Sequence, residues 1–175
     1  MSRDGCIIRD NDVGRGTTFE TYLSAIDETK THVGDIMNKE MPQKGRETIL
    51  VVDDEKMIRD FAEEALQEFD YSVMTASNGE EALKMYTDNH TSIDLVVMDI
   101  GMPGMGGHKC LSEIMRFDPT AKVLVASGYT MDDKVKESME AGAVGFLGKP
   151  YQLKNFLSTV RTVLGQDEAG IRTNR

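Results

Sequence analysis

The feature that most constrains this chain is an alternation of short apolar runs with segments of helical periodicity, beginning at Glu47. Five apolar runs recur, and after each of them the apolar residues are spaced three or four positions apart. The runs show little apolar–polar alternation, which is typical of strands buried on both faces of a parallel sheet. Parallel neighbours need helical crossovers, so the pattern predicts a doubly wound α/β domain. The predicted strands are 48–52, 71–76, 93–98, 122–126 and 144–147.

The segments between the runs carry local signals for helix starts and stops. Ser77 and Glu80 have the spacing of a capping box, which predicts that a helix begins there. The last amphipathic pattern runs from Leu153 to Leu164, and we expect residues 166–175 to form a flexible polar tail.

Polar side chains stand where the predicted strands end. Asp53 and Asp54 follow the first strand, Asp99 the third, Ser127 the fourth and Lys149 the fifth. Ligands of open parallel sheets bind beyond the carboxyl ends of the strands, so we expect these five side chains to converge there. Clustered carboxylates repel one another unless a cation lies among them, and Mg²⁺ prefers oxygen ligands. The sequence therefore predicts a cation site at this edge.

Four motifs carry a resemblance to a known family. They are ILVVDDE (49–55), LVVMDIGMPGMGG (95–107), VLVASGYT (123–130) and AGAVGFLGKP (141–150). Over residues 47–165 the chain resembles the receiver domain of two-component response regulators. The resemblance implies a flavodoxin-like receiver fold, in which the five parallel strands have the order 2-1-3-4-5.

The resemblance also implies a cofactor, Mg²⁺, and a set of ligands for it. Asp54 and Asp99 would ligate the ion directly, together with the backbone carbonyl of Gly101, and Asp53 would ligate it directly or through water. Asp99 would be the phosphoacceptor, which takes a phosphoryl group from a phosphohistidine on a histidine kinase or a phosphotransfer protein. Carboxylates are established nucleophiles in reactions that form aspartyl-phosphates.

The same resemblance assigns roles to residues around the phosphoacceptor. Lys149 and Ser127 would contact the phosphoryl group, and Ser127 and Phe146 would form a switch. The switch would alter the face formed by the fourth helix, fifth strand and fifth helix of the receiver. Gly101 and Tyr129 occupy positions that tune the lifetime of the phosphorylated form. Because Gly101 lacks a polar side chain and Tyr129 is bulky, we expect self-dephosphorylation to be slow.

The N-terminal part has a different character. The stretch VGRGTTFETYL (13–23) resembles the last glycine box and final strands of a histidine-kinase ATP-binding domain. We interpret residues 1–26 as a remnant of such a domain and the polar residues 27–46 as a linker. The two resemblances together imply the C-terminal part of a hybrid histidine kinase. Alone, the remnant is expected to be mobile or to pair with another copy, giving a monomer or weak homodimer.

Composition and charge exclude several function classes. The net charge of −10 disfavours direct nucleic-acid binding, because phosphate backbones would be repelled. No apolar run is long enough for a membrane span, and the N-terminus lacks the apolar core of a signal peptide. Cys6 and Cys110 match no metal spacing and suggest free thiols in a reducing compartment. We therefore expect a cytoplasmic chain without membrane contact.

Two alternatives to the phosphoacceptor module remain open. One is a Mg²⁺-dependent phosphatase with Asp99 as its nucleophile. The common aspartate-phosphatase pattern has a second Asp two residues after the nucleophile, where this chain has Gly101. The other is a binding-only pseudo-receiver, which the intact Asp53, Asp54, Asp99 and Lys149 disfavour. A receiver catalyses only its own phosphorylation and dephosphorylation, so we expect no turnover of a free substrate by this chain, although the parent protein would be a histidine kinase.

Overall fold

The fold is seen in a computed structural model, in which the chain divides into two compact units, Met1–Glu40 and Met41–Arg175. The residues that the structure describes are 6–12, 16–22, 44–128 and 133–171. In the first unit, β1 (Cys6–Asp12) and β2 (Gly16–Tyr22) form a two-stranded antiparallel sheet.

The second unit alternates strands and helices, as the apolar pattern predicts. In chain order its elements are β3 (Thr48–Val52), α1 (Lys56–Glu68), β4 (Ser72–Ala76), α2 (Gly79–Asn89), β5 (Leu95–Asp99), α3 (Gly107–Phe117), β6 (Val123–Ser127), α4 (Asp133–Glu140), β7 (Gly145–Gly148) and α5 (Leu153–Ile171). The final helix α5 extends past the predicted domain end at residue 165. Among the described residues, no helix is both long and apolar enough to cross a bilayer.

All five strands of this unit are parallel, in the order β4-β3-β5-β6-β7. Counted within the unit this is 2-1-3-4-5, which confirms the predicted fold class and strand order. Because β4 and β5 lie on opposite sides of β3, the winding direction reverses between β3 and β5. A crevice opens beyond the carboxyl ends of strands at such a point, and ligands bind there.

The two faces of the sheet carry separate apolar cores. Successive strand residues point to opposite faces, so Leu50 and Val52 pack on the side of α2, α3 and α4. Ile49 and Val51 pack on the side of α1 and α5. Burying each such side chain contributes about 1.5–3 kcal/mol. The central strands β5 and β6 are buried along their whole length, as their apolar composition predicts.

Four strands begin one or two residues later than the apolar pattern predicts, at Ser72, Leu95, Val123 and Gly145. Tyr71 and Ile93 were predicted to open their strands, but the strands start at Ser72 and Leu95. Both residues are nevertheless buried, with exposed fractions of 4% and 7%. The apolar pattern indicates which residues are buried. At Tyr71 and Ile93 burial begins one or two residues before the hydrogen-bonded ladder.

The capping box predicted at Ser77 is displaced by one residue. Asn78 is the N-cap of α2, because its side-chain oxygen accepts a hydrogen bond from the Glu81 N–H at 2.9 Å. The Glu81 carboxylate reaches back and accepts from the backbone N–H and the hydroxyl of Ser77, both at 2.8 Å. Asn is as good an N-cap as Ser, so the two candidates could not be separated by preference alone.

A glycine permits the close approach that carries α3 to the end of β5. A β-carbon on Gly107 would lie 2.0 Å from the carbonyl oxygen of Asp99 and 2.8 Å from the α-carbon of Ile100. No larger residue fits without a shift of the main chain. Gly107 therefore fixes the distance between the first turn of α3 and the strand end that bears Asp99.

Gly107→Ala is expected to lower the free energy of unfolding by about 2–3 kcal/mol, because its methyl group must displace backbone atoms. Gly165→Ala is the matched control, since Gly165 lies within α5 with open space around it. Alanine there should be neutral or stabilise by up to about 1 kcal/mol. Urea unfolding followed by circular dichroism measures both. Equal effects of the two substitutions would contradict the proposed close approach.

Candidate functional site

The turn between β3 and α1 brings two acidic residues to the crevice. Asp53 follows the last residue of β3 and is 3% exposed, whereas Asp54 is exposed. The Asp53 Oδ1 atom accepts a hydrogen bond from the Glu55 N–H at 2.9 Å, which closes the turn at the start of α1. Its Oδ2 atom accepts from the Lys149 ammonium at 2.6 Å. Both oxygens of Asp53 are therefore held in place.

Asp99 lies at the carboxyl end of the neighbouring strand. It is the last residue of β5 and is 8% exposed. Its Oδ1 atom accepts from the Gly101 N–H at 2.9 Å, and its Oδ2 atom accepts from Lys149 at 2.9 Å. A β-carbon on Gly101 would lie 3.4 Å from the Asp99 Oδ1 atom, which is an ordinary contact. A side chain at position 101 would therefore stand directly beside the Asp99 carboxylate.

Lys149 joins the two buried carboxylates. Its ammonium donates to Asp53 and Asp99 from a side chain that is 15% exposed, and its backbone N–H donates to the Ser127 carbonyl at 2.7 Å. Burial alone would lower its pKa, but the hydrogen bonds and charges of the two carboxylates outweigh burial and raise the pKa above its ordinary value. Lys149 is therefore charged at neutral pH. The peptide bond between Lys149 and Pro150 is cis.

The three carboxylates form a cluster with the chemistry of a hard-cation site. One oxygen from each of Asp53, Asp54 and Asp99 lies within 4.8 Å of the others. No other group of three potential ligands of this kind occurs in the part of the chain that the structure describes. Lys149 supplies one positive charge against three negative ones. The site is thus suited to an additional divalent cation with oxygen ligands, which is the chemistry of Mg²⁺.

Two further predicted site residues, Ser127 and Phe146, lie at or near the same edge. Ser127 ends β6 beside Asp99 of β5 and is 4% exposed. Phe146 is half-buried on β7, in register with Val125, and packs against the core on the side of α2, α3 and α4. Tyr129 lies outside the described residues. The structure thus brings together Asp53, Asp54, Asp99 and Lys149 directly, with Ser127 on the adjoining strand end.

Sequence reasoning missed two features beside the cluster. The first is Arg59 in α1, whose Nη1 atom donates to the backbone carbonyl of Asp53 at 2.6 Å. The second is a shallow depression of about 540 Å³ next to Lys149, lined in part by Ile58, Phe61 and Tyr151. Neither has a sequence signal. A side chain that reaches back to a carbonyl leaves no spacing motif, and the depression joins segments that are far apart in the chain.

Comparison with known proteins places this geometry in a family. The profile of the response regulator receiver domain matches residues 49–161. The sensor kinase CckA of Brucella abortus is 33% identical over 171 residues, which are 94% of this chain and 18% of CckA. The chemotaxis protein CheY of Halobacterium salinarum is 35% identical over 116 residues, which are 66% of this chain and 95% of CheY.

A solved structure extends the comparison. The response regulator protein TrrA of Thermotoga maritima, in complex with Mg²⁺–BeF, is 36% identical with a TM-score of 0.61. The match covers 67% of this chain and 98% of TrrA. The fold and the acid cluster with its lysine define a doubly wound α/β signalling domain. The chain belongs to the response regulator receiver domain family of two-component systems.

Lys149→Met is expected to destabilise the metal-free protein by about 3 kcal/mol, because two buried carboxylates lose the cation between them. Urea unfolding in the presence of a chelator measures this. Saturating Mg²⁺ should restore part of the lost stability, since a divalent cation replaces the missing charge and binds only the folded chain. Lys84→Met, which removes an exposed charge from α2, is the control and should change stability by less than about 0.5 kcal/mol. A Lys149→Met variant as stable as this control would contradict the bridging role.

Proposed function

We propose that this chain is a phosphorelay receiver that accepts a phosphoryl group from a phosphohistidine onto Asp99. The observation that carries the proposal is the contact of one lysine with two buried carboxylates beside a third, at the switch point of the sheet. In the transfer, an Asp99 oxygen attacks phosphorus and a P–O bond forms. The P–N bond of the donor breaks, and its electron pair stays on the imidazole nitrogen. Transfer of this kind depends mainly on in-line positioning and charge stabilisation.

Mg²⁺ is the cofactor of the proposal. Asp54, Asp99 and the backbone carbonyl of Gly101 would ligate it directly, and Asp53 directly or through water. When bound, the ion supplies positive charge for the phosphoryl oxygens. The oxygen-only donor set supports this choice, as does the complex of the related TrrA with Mg²⁺–BeF.

Lys149 and Ser127 complete the proposed site. Lys149 already contacts an oxygen of Asp99, and after transfer it would contact the phosphoryl group that Asp99 carries. The Ser127 hydroxyl would donate to another phosphoryl oxygen, because Ser127 ends the strand next to Asp99. Movement of Ser127 would free space for Phe146, two strand positions from it in the β6–β7 register. That rearrangement would change the surface of α4, β7 and α5, and so pass on the signal.

The partner in this proposal is a histidine kinase or a phosphotransfer protein that carries the phosphohistidine. The depression beside Lys149 offers this partner apolar surface from Ile58, Phe61 and Tyr151. The match of 94% of this chain to CckA supports a hybrid-kinase context, with residues 1–26 from an ATP-binding domain and 27–46 as a linker. We place the chain in the cytoplasm, without direct nucleic-acid contact, as a monomer or weak homodimer.

Intact-mass analysis after incubation with acetyl phosphate tests the proposal. We expect one added phosphoryl group that requires both Mg²⁺ and Asp99, and that is absent from Asp99→Asn. This substitution keeps the shape of the side chain and removes the nucleophilic charge. Release of many equivalents of phosphate per chain would instead favour a phosphatase. The absence of any adduct from acetyl phosphate and from a phosphorylated histidine kinase would contradict phosphoacceptance.

Gly101→Asn is expected to shorten the lifetime of the phosphorylated form several-fold. A β-carbon fits beside Asp99, and the amide could then orient a water for attack on phosphorus. The decay of the phosphorylated mass after removal of acetyl phosphate measures the rate. Gly101→Ala fills the same space without a polar group and should leave the lifetime near that of the wild-type protein. A wild-type lifetime under a minute would contradict the expected slow self-dephosphorylation.

A further inference from the structure

Arg59 makes an unusual contact for a residue in the first turn of a helix. Its side chain is half-buried and turns back toward the sheet, where Nη1 donates to the backbone carbonyl oxygen of Asp53 at 2.6 Å. The backbone N–H of Arg59 remains in α1 and donates to the Glu55 carbonyl at 3.2 Å. Arg59 thus ties the start of the helix to the turn that carries the acid pair.

The carbonyl that Arg59 holds belongs to the peptide unit that joins Asp53 to Asp54. A peptide unit is planar, so fixing its carbonyl oxygen also fixes the direction in which the next residue leaves. Asp53 has two further anchors, through Glu55 and Lys149. Asp54 is exposed, and its orientation therefore depends mainly on the main chain that bears it.

We infer that Arg59 is a positioning residue for the cation site, which holds the Asp53–Asp54 peptide so that the Asp54 carboxylate faces Asp53 and Asp99. This inference rests on the proposed function, since it concerns the Mg²⁺ site of that proposal. Residues that orient metal ligands without touching the metal contribute about 10–100-fold to metal affinity. A planar guanidinium with several donors suits this task, because little freedom is lost for each hydrogen bond it makes.

The charge of Arg59 also acts on an acidic residue of α2. Two hydrogen bonds from Ser77 lower the pKa of Glu81 in α2, and the charge of Arg59 lowers it further. The Arg59 side chain nevertheless donates its hydrogen bond to the Asp53 carbonyl, and the positioning role rests on that hydrogen bond.

The direction in which Mg²⁺ affinity changes when Arg59 is removed separates positioning from simple electrostatics. Arg59 is a cation next to a cluster of carboxylates that would bind another cation. If its charge alone mattered, its removal would strengthen Mg²⁺ binding, because one repulsive charge would be lost. If it positions Asp54, its removal weakens Mg²⁺ binding in spite of the more negative site.

The experiment is titration calorimetry of the unphosphorylated full chain with MgCl₂, which needs no phosphoryl transfer. For Arg59→Met we expect the dissociation constant to rise about 10-fold, with thermal unfolding in chelator still cooperative. Arg59→Gln is measured beside it, so that the test does not depend on one variant folding. Lys56→Gln is the matched control: it removes a charge from the same helical turn, where Lys56 pairs with Asp60 at 2.6 Å on the surface. Its dissociation constant should stay within about twofold of wild type.

The outcomes distinguish failure of the positioning role of Arg59 from failure of the proposed Mg²⁺ site. If wild-type protein and Asp54→Asn give the same heat of Mg²⁺ titration, the proposed Mg²⁺ site itself fails. If wild type binds Mg²⁺ and Asp54→Asn does not, but the folded Arg59 variants bind equally well or more tightly, the site stands and the positioning role is overturned. Weaker binding in the Arg59 variants but not in Lys56→Gln supports the positioning role.

Discussion

The ammonium of Lys149, held between the carboxylates of Asp53 and Asp99, is the interaction on which the site depends. It joins Lys149 to Asp53, which lies 96 positions earlier in the chain, and to Asp99, which lies 50 positions earlier. The three residues stand at the ends of separate strands. Without a cation between them, the buried carboxylates of Asp53 and Asp99 would repel one another, and this repulsion would disfavour the folded state. One ammonium offsets part of three negative charges. The edge is thereby stable enough to fold and still negative enough to attract a divalent ion.

The relative positions of the site residues are set by the sheet rather than by the loops that follow its strands. The central strands β3, β5 and β6 are almost wholly buried, and their register is fixed by ladders on both sides. Each strand contributes to two cores, so a shift of one residue would move its side chains to the wrong face. The loops beyond the strand ends can therefore vary in chemistry while the spacing of Asp53 and Asp99 stays constant.

The fold and the acid cluster were predictable because their signals are local. Apolar runs identify the strands, and the first polar residue after a run lies at the sheet edge, which is how Asp53, Asp99 and Lys149 are found. The N-cap at Asn78 was not predictable, because neighbouring Ser77 is an equally good candidate and only geometry chooses between them. Arg59 was not predictable either, since its partner is a main-chain oxygen, which every residue possesses.

The two basic residues at this edge illustrate a division that follows from their chemistry. Lys149 contacts carboxylate oxygens, whose charge and partners would change in the proposed phosphoryl transfer, and a flexible stem with a single charged atom can follow such a change. Arg59 contacts a carbonyl whose charge is the same before and after transfer. A rigid, always charged guanidinium suits a fixed contact of that kind. The contact that would change on phosphoryl transfer is thus made by a flexible lysine, and the constant contact is made by a rigid arginine.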